Sequence, residues 1–311
     1  MHLIVPFAGP LGEAGRAALR GLALPQLRAL LSRAAEVARD AGDEWSFSPP
    51  HERALARALG WSGGDGCLPW AARWAAADGV PEAAQGDLAW GLVSPVHWHL
   101  GTDQVSLIDP ATLMLDDATS RVLFDAVLPL FTSEGFVMAF GSATRWYIAH
   151  ETLAPLRCAS LDRVIGRNVD GWLTEDPAVR LVRRLQNEVQ MLLYTHPLND
   201  RREAHGLLPV NSFWLSGCGV AQAVTGAAPR VDERLRGPAL ADDWAAWVKA
   251  WDTLDEGPIA ELRVALERGA PARLTLCGER SSVSFDAANG FAARVRARWS
   301  RPSPLALLES L

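Results

Sequence analysis

Asn199, Arg201, Arg202, Asn211 and Trp214 are side chains of the types that hold an anionic or polyhydroxylated ligand. A guanidinium presents a fixed fork of donors to an anion. A carboxamide supplies a donor and an acceptor together, and an indole walls a pocket. Asparagine side chains also pin loops to their own backbone, so residue chemistry leaves both uses open. A second constellation is His97-Trp98-His99. On a strand both imidazoles share one face, a spacing that serves zinc or iron, with Asp103 as a third ligand and His150 arriving from another strand. The same pair also suits polar surface or hydrogen-bonded packing. Cys218 stands between Gly217 and Gly219 and reads as a thiol on a turn; as a nucleophile it needs a neighbouring base, and His196 and His205 lie near it in sequence.

Other candidates are weaker. Asp65, Asp78 and Asp87 are acid-base groups or caps of turns and helices. The glycines of WSGGDG are not followed by the Lys-Ser/Thr of a phosphate loop, and no GxGxxG follows the first apolar run. Trp244, Trp247 and Trp251 repeat at helical spacing, which marks a core stripe or a surface for a protein partner or a second copy.

The elements that must position these residues alternate between strand and helix. Leu3–Phe7 reads as a strand buried on both faces, and a helix opened by Pro25 carries Leu27, Leu30, Leu31 and Ala34. Asp43–Pro50 reads as a linker before a short helix. Leu88–Val93, a turn through the histidines and Val105–Ile108 form an antiparallel pair. Asp116 or Asp117 caps a helix to about Phe131, and a hairpin follows around Gly141-Ser142. Pro177–Tyr194 has the clearest apolar stripe. Val210–Leu215 is a strand entering the Gly217-Cys218-Gly219 turn, and Ala272–Cys277 pairs with Ser281–Phe285. A last helix spans Ala287–Trp299, and RPSPLALLESL reads as a loose tail. The pattern predicts an α/β chain with a mixed sheet flanked by helices. It forms one domain over residues 1–311, with an inserted helical and hairpin region within about 43–150.

Composition narrows the partners. The formal charge of -6, from 36 acidic and 30 basic residues, argues against nucleic acid. No stretch approaches the apolar length of a membrane span, and MHLIVPFAGP reads as a strand rather than a leader. Four cysteines without a CxxC pair suit a reduced, cytoplasmic protein.

The segment NEVQMLLYTHPLNDRREAHGLLPVNSFWLSGCG resembles the signature of a proteobacterial family of RpfE-type regulatory proteins, itself distantly similar to cofactor-independent phosphoglycerate mutases. PVHWHLGTDQVSL resembles the aspartate-proline-valine-histidine-leucine segment of that family, with Ser94 where the aspartate stands. The resemblance spans nearly the whole chain. The remoter likeness is to archaeal-type phosphoglycerate mutases of the alkaline phosphatase superfamily. Their asparagine, arginine, tryptophan and glycine series falls here on Asn199, Arg202, Asn211, Trp214, Gly217 and Gly219. Leu3–Phe7 and LALPQLRALL are similar to their opening strand and threonine-proline-asparagine-leucine helix.

This resemblance implies an alkaline phosphatase-like core with a mainly parallel sheet. It also implies where a two-metal centre would stand, and there the chain departs. The aspartate-glycine ligand pair after the first strand is Ala8-Gly9, and a serine or threonine nucleophile has no secure equivalent. The late metal-binding segment is Gly278-Glu279-Arg280-Ser281, where Glu279 alone cannot hold two ions. The expectation is a non-catalytic regulatory or ligand-sensing protein that needs no cofactor and takes a small anionic or phosphorylated ligand at Asn199, Arg201, Arg202, Asn211 and Trp214. One alternative is a phosphoglycerate mutase or phosphatase holding a divalent metal with atypical ligands, His97, His99 and Asp103 among them. Another is a protein-interaction module.

Overall fold

The computed structural model describes residues 1–84, 86–173, 179–287 and 303–311. Its strands are β1 (His2–Val5), β2 (Ala34–Ala41), β3 (Ala89–Leu100), β4 (Val105–Ile108), β5 (Val137–Ser142), β6 (Arg145–Ala149), β7 (Ser212–Val220), β8 (Arg230–Val231), β9 (Arg273–Cys277) and β10 (Ser281–Ala287). The helices used below are α1 (Glu13–Arg20), α2 (Pro25–Leu31), α3 (Pro50–Leu59), α4 (Trp70–Ala77), α5 (Asp117–Thr132), α6 (Leu161–Val164), α7 (Arg180–Tyr194), α8 (Pro197–Ala204), α9 (Arg236–Leu240), α10 (Trp244–Leu254), α11 (Ala260–Glu267) and α12 (Pro304–Glu309). The chain forms two compact units, one from Met1–Trp61 with Val224–Leu311 and one from Ser62–Ala223.

The first unit holds a sheet in the order β2-β10-β9-β1-β8. β1 is parallel to β8 and β9, whereas β10 is antiparallel to β9 and β2. The sheet is mixed and flanked by helices, with its parallel pairing confined to β1 and its two neighbours. Leu3 and Val5 face a core completed by Leu274, Leu276, Leu27, Leu30 and the helix residues Trp247, Trp251 and Leu262. Ile4 points to the other face, with Ala54 of α3 and Cys277. Alternation along a doubly covered strand explains why Leu3, Ile4 and Val5 are apolar at successive positions. Trp247 and Trp251 are fully buried, so their stripe belongs to this core.

Two expectations for this unit need correction. The helical spacing carried through Ala34, yet α2 stops at Leu31 and AAEVARDA is an edge strand along β10. Its composition favours a helix; pairing with β10 overrides that weak preference. The supposed loose tail is also ordered at its end. α12 buries Leu307 and Leu308, and Leu311 is buried beside them. The helix expected over Ala287–Trp299 lies, beyond Ala287, outside the described residues, as does Pro177.

In the second unit every strand pair is antiparallel. The order is β4-β3-β6-β5, with β7 on the other edge of β3. β3 is the centre of this arrangement. It continues unbroken through Pro95 and both histidines, where a turn was expected. α5 and α7 cover one face with Leu123, Phe124, Val127, Leu185 and Val189; Ala71, Ala72 and Ala75 of α4 cover Trp90 and Tyr147 on the other. Asp116 caps α5 by accepting from Thr119 N at 2.6 Å. β7 runs straight through Gly217-Cys218-Gly219, which is therefore no turn. Gly217 has φ +63°, and a β-carbon there would stand 3.0 Å from Ala71 N and from Trp70 Cβ. Glycine lets the strand bulge against the start of α4.

Candidate functional site

The stretch after α7 is a second helix rather than a loop. His196 caps α8, its Nδ1 accepting from Leu198 N at 3.2 Å, and Pro197 occupies the first turn. Gly206, at φ +73°, ends it; Leu207 N returns to Arg202 O at 2.9 Å, satisfying one of the last carbonyls. The chain then has to cross from α8 to β7 through LLPVN, five residues without regular structure. Side chains supply the backbone partners that a ladder would otherwise give.

Asn199 is buried. Its Nδ2 donates to Leu193 O at 2.9 Å and Val210 O at 2.7 Å, and its Oδ1 accepts from Val210 N at 3.0 Å. Arg202, 5% exposed as a residue, donates from Nε to Leu208 O at 2.9 Å and from Nη2 to Leu113 O. Burial pulls its pKa below the ordinary value, opposed by the Asp116 carboxylate. Asn211 accepts from Trp98 N at 2.7 Å and donates to Trp98 O at 2.9 Å, so its side chain carries the β3–β7 ladder beyond Ser212. His97 Nδ1 donates to Pro209 O at 2.8 Å. Trp214 Nε1 donates to Ala159 O at 2.9 Å. Donors of these residues thus serve backbone carbonyls, which is the pinning use of such side chains. Arg201, on the other side of α8, is the exposed residue among the five.

Of the five residues, Trp214 alone lines the cleft beside β7. This cleft is apolar, about 40 Å³ in volume, and is also lined by Leu156, Cys158, Trp172, Val182 and Gln186. That is room for a few waters at most, well short of a metabolite. Gln186 is itself fixed, donating to Phe213 O at 2.8 Å.

The histidines share a face of β3 as expected, with ring centroids 6.4 Å apart. Asp103 lies exposed in the β3–β4 turn, and His150 is held in a cap with Thr152. Among the described residues, no three His, Cys, Asp or Glu side chains gather as ligands for one metal ion. Cys218 is buried rather than presented on a turn. Contact with the Cys158 thiol and burial both push its pKa up, which keeps it protonated and out of reach of an outside substrate. His196 and His205 serve the two ends of α8, His205 Nδ1 donating to Arg201 O at 2.7 Å. Of the three aspartates, Asp65 pairs with Arg157 at 3.3 Å, and Asp78 is built into a polar cluster. Its carboxylate takes both Arg145 Nε and Nη2, at 2.7 and 2.8 Å, and the Tyr147 hydroxyl at 2.6 Å. Burial works to raise its pKa, but these hydrogen bonds and the Arg145 charge outweigh it and hold it low. Sequence spacing gave no sign of this cluster, whose members lie on α4's end and on β6.

In the first unit, the carboxyl ends of β1 and β9 are where a parallel sheet opens its ligand crevice. Ala8 is fully buried there and its N–H donates to Cys277 O at 2.7 Å. A β-carbon on Gly9 would stand 2.1 Å from Leu308 O, and one on Gly278 would stand 2.5 Å from Leu311 Cβ. Arg280 N and Ser281 N donate to Leu311 O at 3.0 and 2.8 Å. Glu279 accepts from Leu11 N at 3.3 Å. Beside these residues, Asp232 N donates to Ile4 O at 2.9 Å and its carboxylate is taken by Arg234 at 2.7 and 2.9 Å, while the His51 ring packs on Phe7. Scattered groups of this kind, set among glycines, an alanine and two leucines, do not fit a two-metal centre, which needs several carboxylates and imidazoles around its ions.

No protein-family model matches the chain, and no curated protein does. Solved structures do. The chain is similar to the cofactor-independent phosphoglycerate mutase of Thermoplasma acidophilum DSM 1728, at 14% identity over 93% of this chain and 90% of that one, with a TM-score of 0.37. It is also similar to the PH0037 protein of Pyrococcus horikoshii, at 13% identity over 92% of this chain and 86% of that one, with a TM-score of 0.42. No helix among the described residues is long and apolar enough to cross a membrane.

Proposed function

We propose that this chain is a non-catalytic regulatory or ligand-sensing protein of the RpfE-type group, working in the cytoplasm on a phosphomutase-like fold whose catalytic centre has degenerated. The observation that carries this reading is the filled strand end of the first unit. Ala8, Gly9 and Gly278 stand where the resemblance calls for metal ligands, and Leu308 and Leu311 take up the space against them. Phosphoryl transfer between two ions needs both donors and room there.

The sensing half of the proposal rests on the stretch from Asn199 to Trp214. Exposed Arg201 offers a guanidinium for a small anionic or phosphorylated ligand. Asn199, Arg202 and Asn211 hold the loop behind it, and Trp214 reports on the neighbouring cleft.

Metal analysis of the purified chain, followed by a mutase assay with added manganese, tests the non-catalytic half. The expected result is no stoichiometric metal and no turnover of phosphoglycerate. Stoichiometric metal together with turnover that disappears in His97→Ala would replace this reading with the metal-dependent mutase or phosphatase.

A further inference from the structure

The second unit brings together two thiols that lie far apart in sequence. Cys158 Sγ and Cys218 Sγ are 3.5 Å apart, in van der Waals contact. Neither is in a disulfide. Each is held from its own side. Cys218 sits on β7 between Gly217 and Gly219, at the irregularity where β7 slips against Trp90–Leu92 of β3. Gly91 opposite leaves space for the sulfur, since a β-carbon there would stand 3.1 Å from Cys218 Sγ. Cys158 is fixed through its N–H to Gly66 O at 3.0 Å, and the next carbonyl, Ala159 O, accepts from Trp214 Nε1. A disulfide needs the sulfurs at about 2.05 Å, a closure of roughly 1.5 Å from the present contact.

We propose that Cys158 and Cys218 form a reversible redox pair, oxidised by peroxide to an intramolecular disulfide. The two differ in access, which sets the order of events. Cys158 is half-buried and lines the cleft beside Arg157 and Arg183, whereas Cys218 is buried behind it. The Cys158 thiolate attacks a peroxide oxygen; the O–O bond breaks, hydroxide leaves and Cys158 becomes a sulfenic acid. Cys218 then attacks the Cys158 sulfur. The S–S bond forms as the S–O bond breaks, and the Cys218 proton leaves with the hydroxyl as water. Two thiols lose two electrons in total and one hydrogen peroxide is reduced to two waters. A small dithiol reverses the exchange. The bond ties the 158–160 segment covalently to β7 and narrows the cleft against which Trp214 stands.

The test treats the full chain with hydrogen peroxide, alkylates under denaturing conditions and maps the cysteines by mass spectrometry. The free thiols are expected to fall from four to two, with a Cys158–Cys218 cross-linked peptide, and dithiothreitol restores all four. Cys218→Ser is expected to leave Cys158 as a sulfenic acid that dimedone captures. Cys158→Ser is expected to leave Cys218 reduced at peroxide concentrations that oxidise the parent chain fully. Because each variant changes one atom, the near-parental far-ultraviolet circular dichroism expected of both separates loss of pairing from loss of fold. The proposal is overturned if Cys158 goes on to sulfinic acid with Cys218 still reduced, if Cys158 pairs with Cys67 instead, or if Cys277 in the other unit oxidises as fast as Cys218.

Discussion

The end of β1 in the first unit, where the sequence already lacked the metal ligands that the resemblance calls for, and the α8–β7 crossing in the second, where a ligand was expected, use their residues in opposite ways. At the β1 end the residue types are wrong for chemistry. Ala8, Gly9 and Gly278 offer no ligand atoms, and Leu308 and Leu311 fill the volume. At the crossing the residue types are right, but their polar atoms serve the protein itself. Asn199, Arg202 and Asn211 make backbone bonds across a five-residue gap that has no ladder of its own. A polar residue in a signature therefore marks a place where the backbone needs help as readily as a place where a ligand sits. The deciding measure is what the side-chain atoms touch.

The sharpest way to break the comparison is at the leucines. Leu308 is fully buried against the first core, so Leu308→Ala is expected to destabilise by about 4 kcal/mol, the lost burial plus the cavity left behind. Urea unfolding measures it. A cost below about 1 kcal/mol would mean the C-terminal turn rests loosely on the strand end and the crevice is not filled. Next in size is Asn199→Ala, expected to cost about 3 kcal/mol because it leaves Val210 N and two carbonyls without their partner. Arg201→Ala, one turn-mate away on the exposed side, is expected to stay within about 0.5 kcal/mol. If the two were equally mild, the buried amide would not be a clamp.

Much of the architecture was legible. The apolar run at β1, the cap at Asp116, the hairpin of β5 and β6, and the β9–β10 pair all rest on local signals that the tertiary fold respects. What was hidden is what tertiary pairing decides. AAEVARDA carries a helical composition and becomes strand because β10 offers it an edge. Gly217 and Gly219 signal a turn by composition, yet they serve a bulge against α4. The inserted region was placed within about 43–150, while the second compact unit runs from Ser62 to Ala223, because the helices after residue 150 close the same core as β3. For the five candidate residues the sequence offered side-chain types but not the groups they bond. Leu113, Ala159 and Trp98 lie many residues away, and no spacing rule connects them. The Cys158–Cys218 contact, 60 positions apart, is illegible for the same reason.

A smaller effect than either buried substitution compares the two units through pH. In the first, His2 donates to or accepts from Thr275 Oγ1 at 2.9 Å, and burial, aided by the Arg273 charge and opposed by Asp286, lowers its pKa to about 4. In the second, Asp78 is held below its ordinary 3.8 by Arg145 and Tyr147 against the effect of burial. Both pKa values are lower in the folded chain, so in both windows the unfolded chain binds more protons and stability falls as pH falls. The windows differ. The His2 contribution is complete above 6.5 and drains away between there and about 4; the Asp78 contribution is complete above 3.8 and is lost only below it. Since His2 keeps part of its surface in water, its share is roughly 1 kcal/mol after allowing for screening. Urea midpoints measured from pH 7 to 3 check this by difference. His2→Gln is expected to flatten the loss between pH 6.5 and 4, and Asp78→Asn only the loss below 3.8. Difference curves that coincide would show that the two units do not answer acid through separate groups.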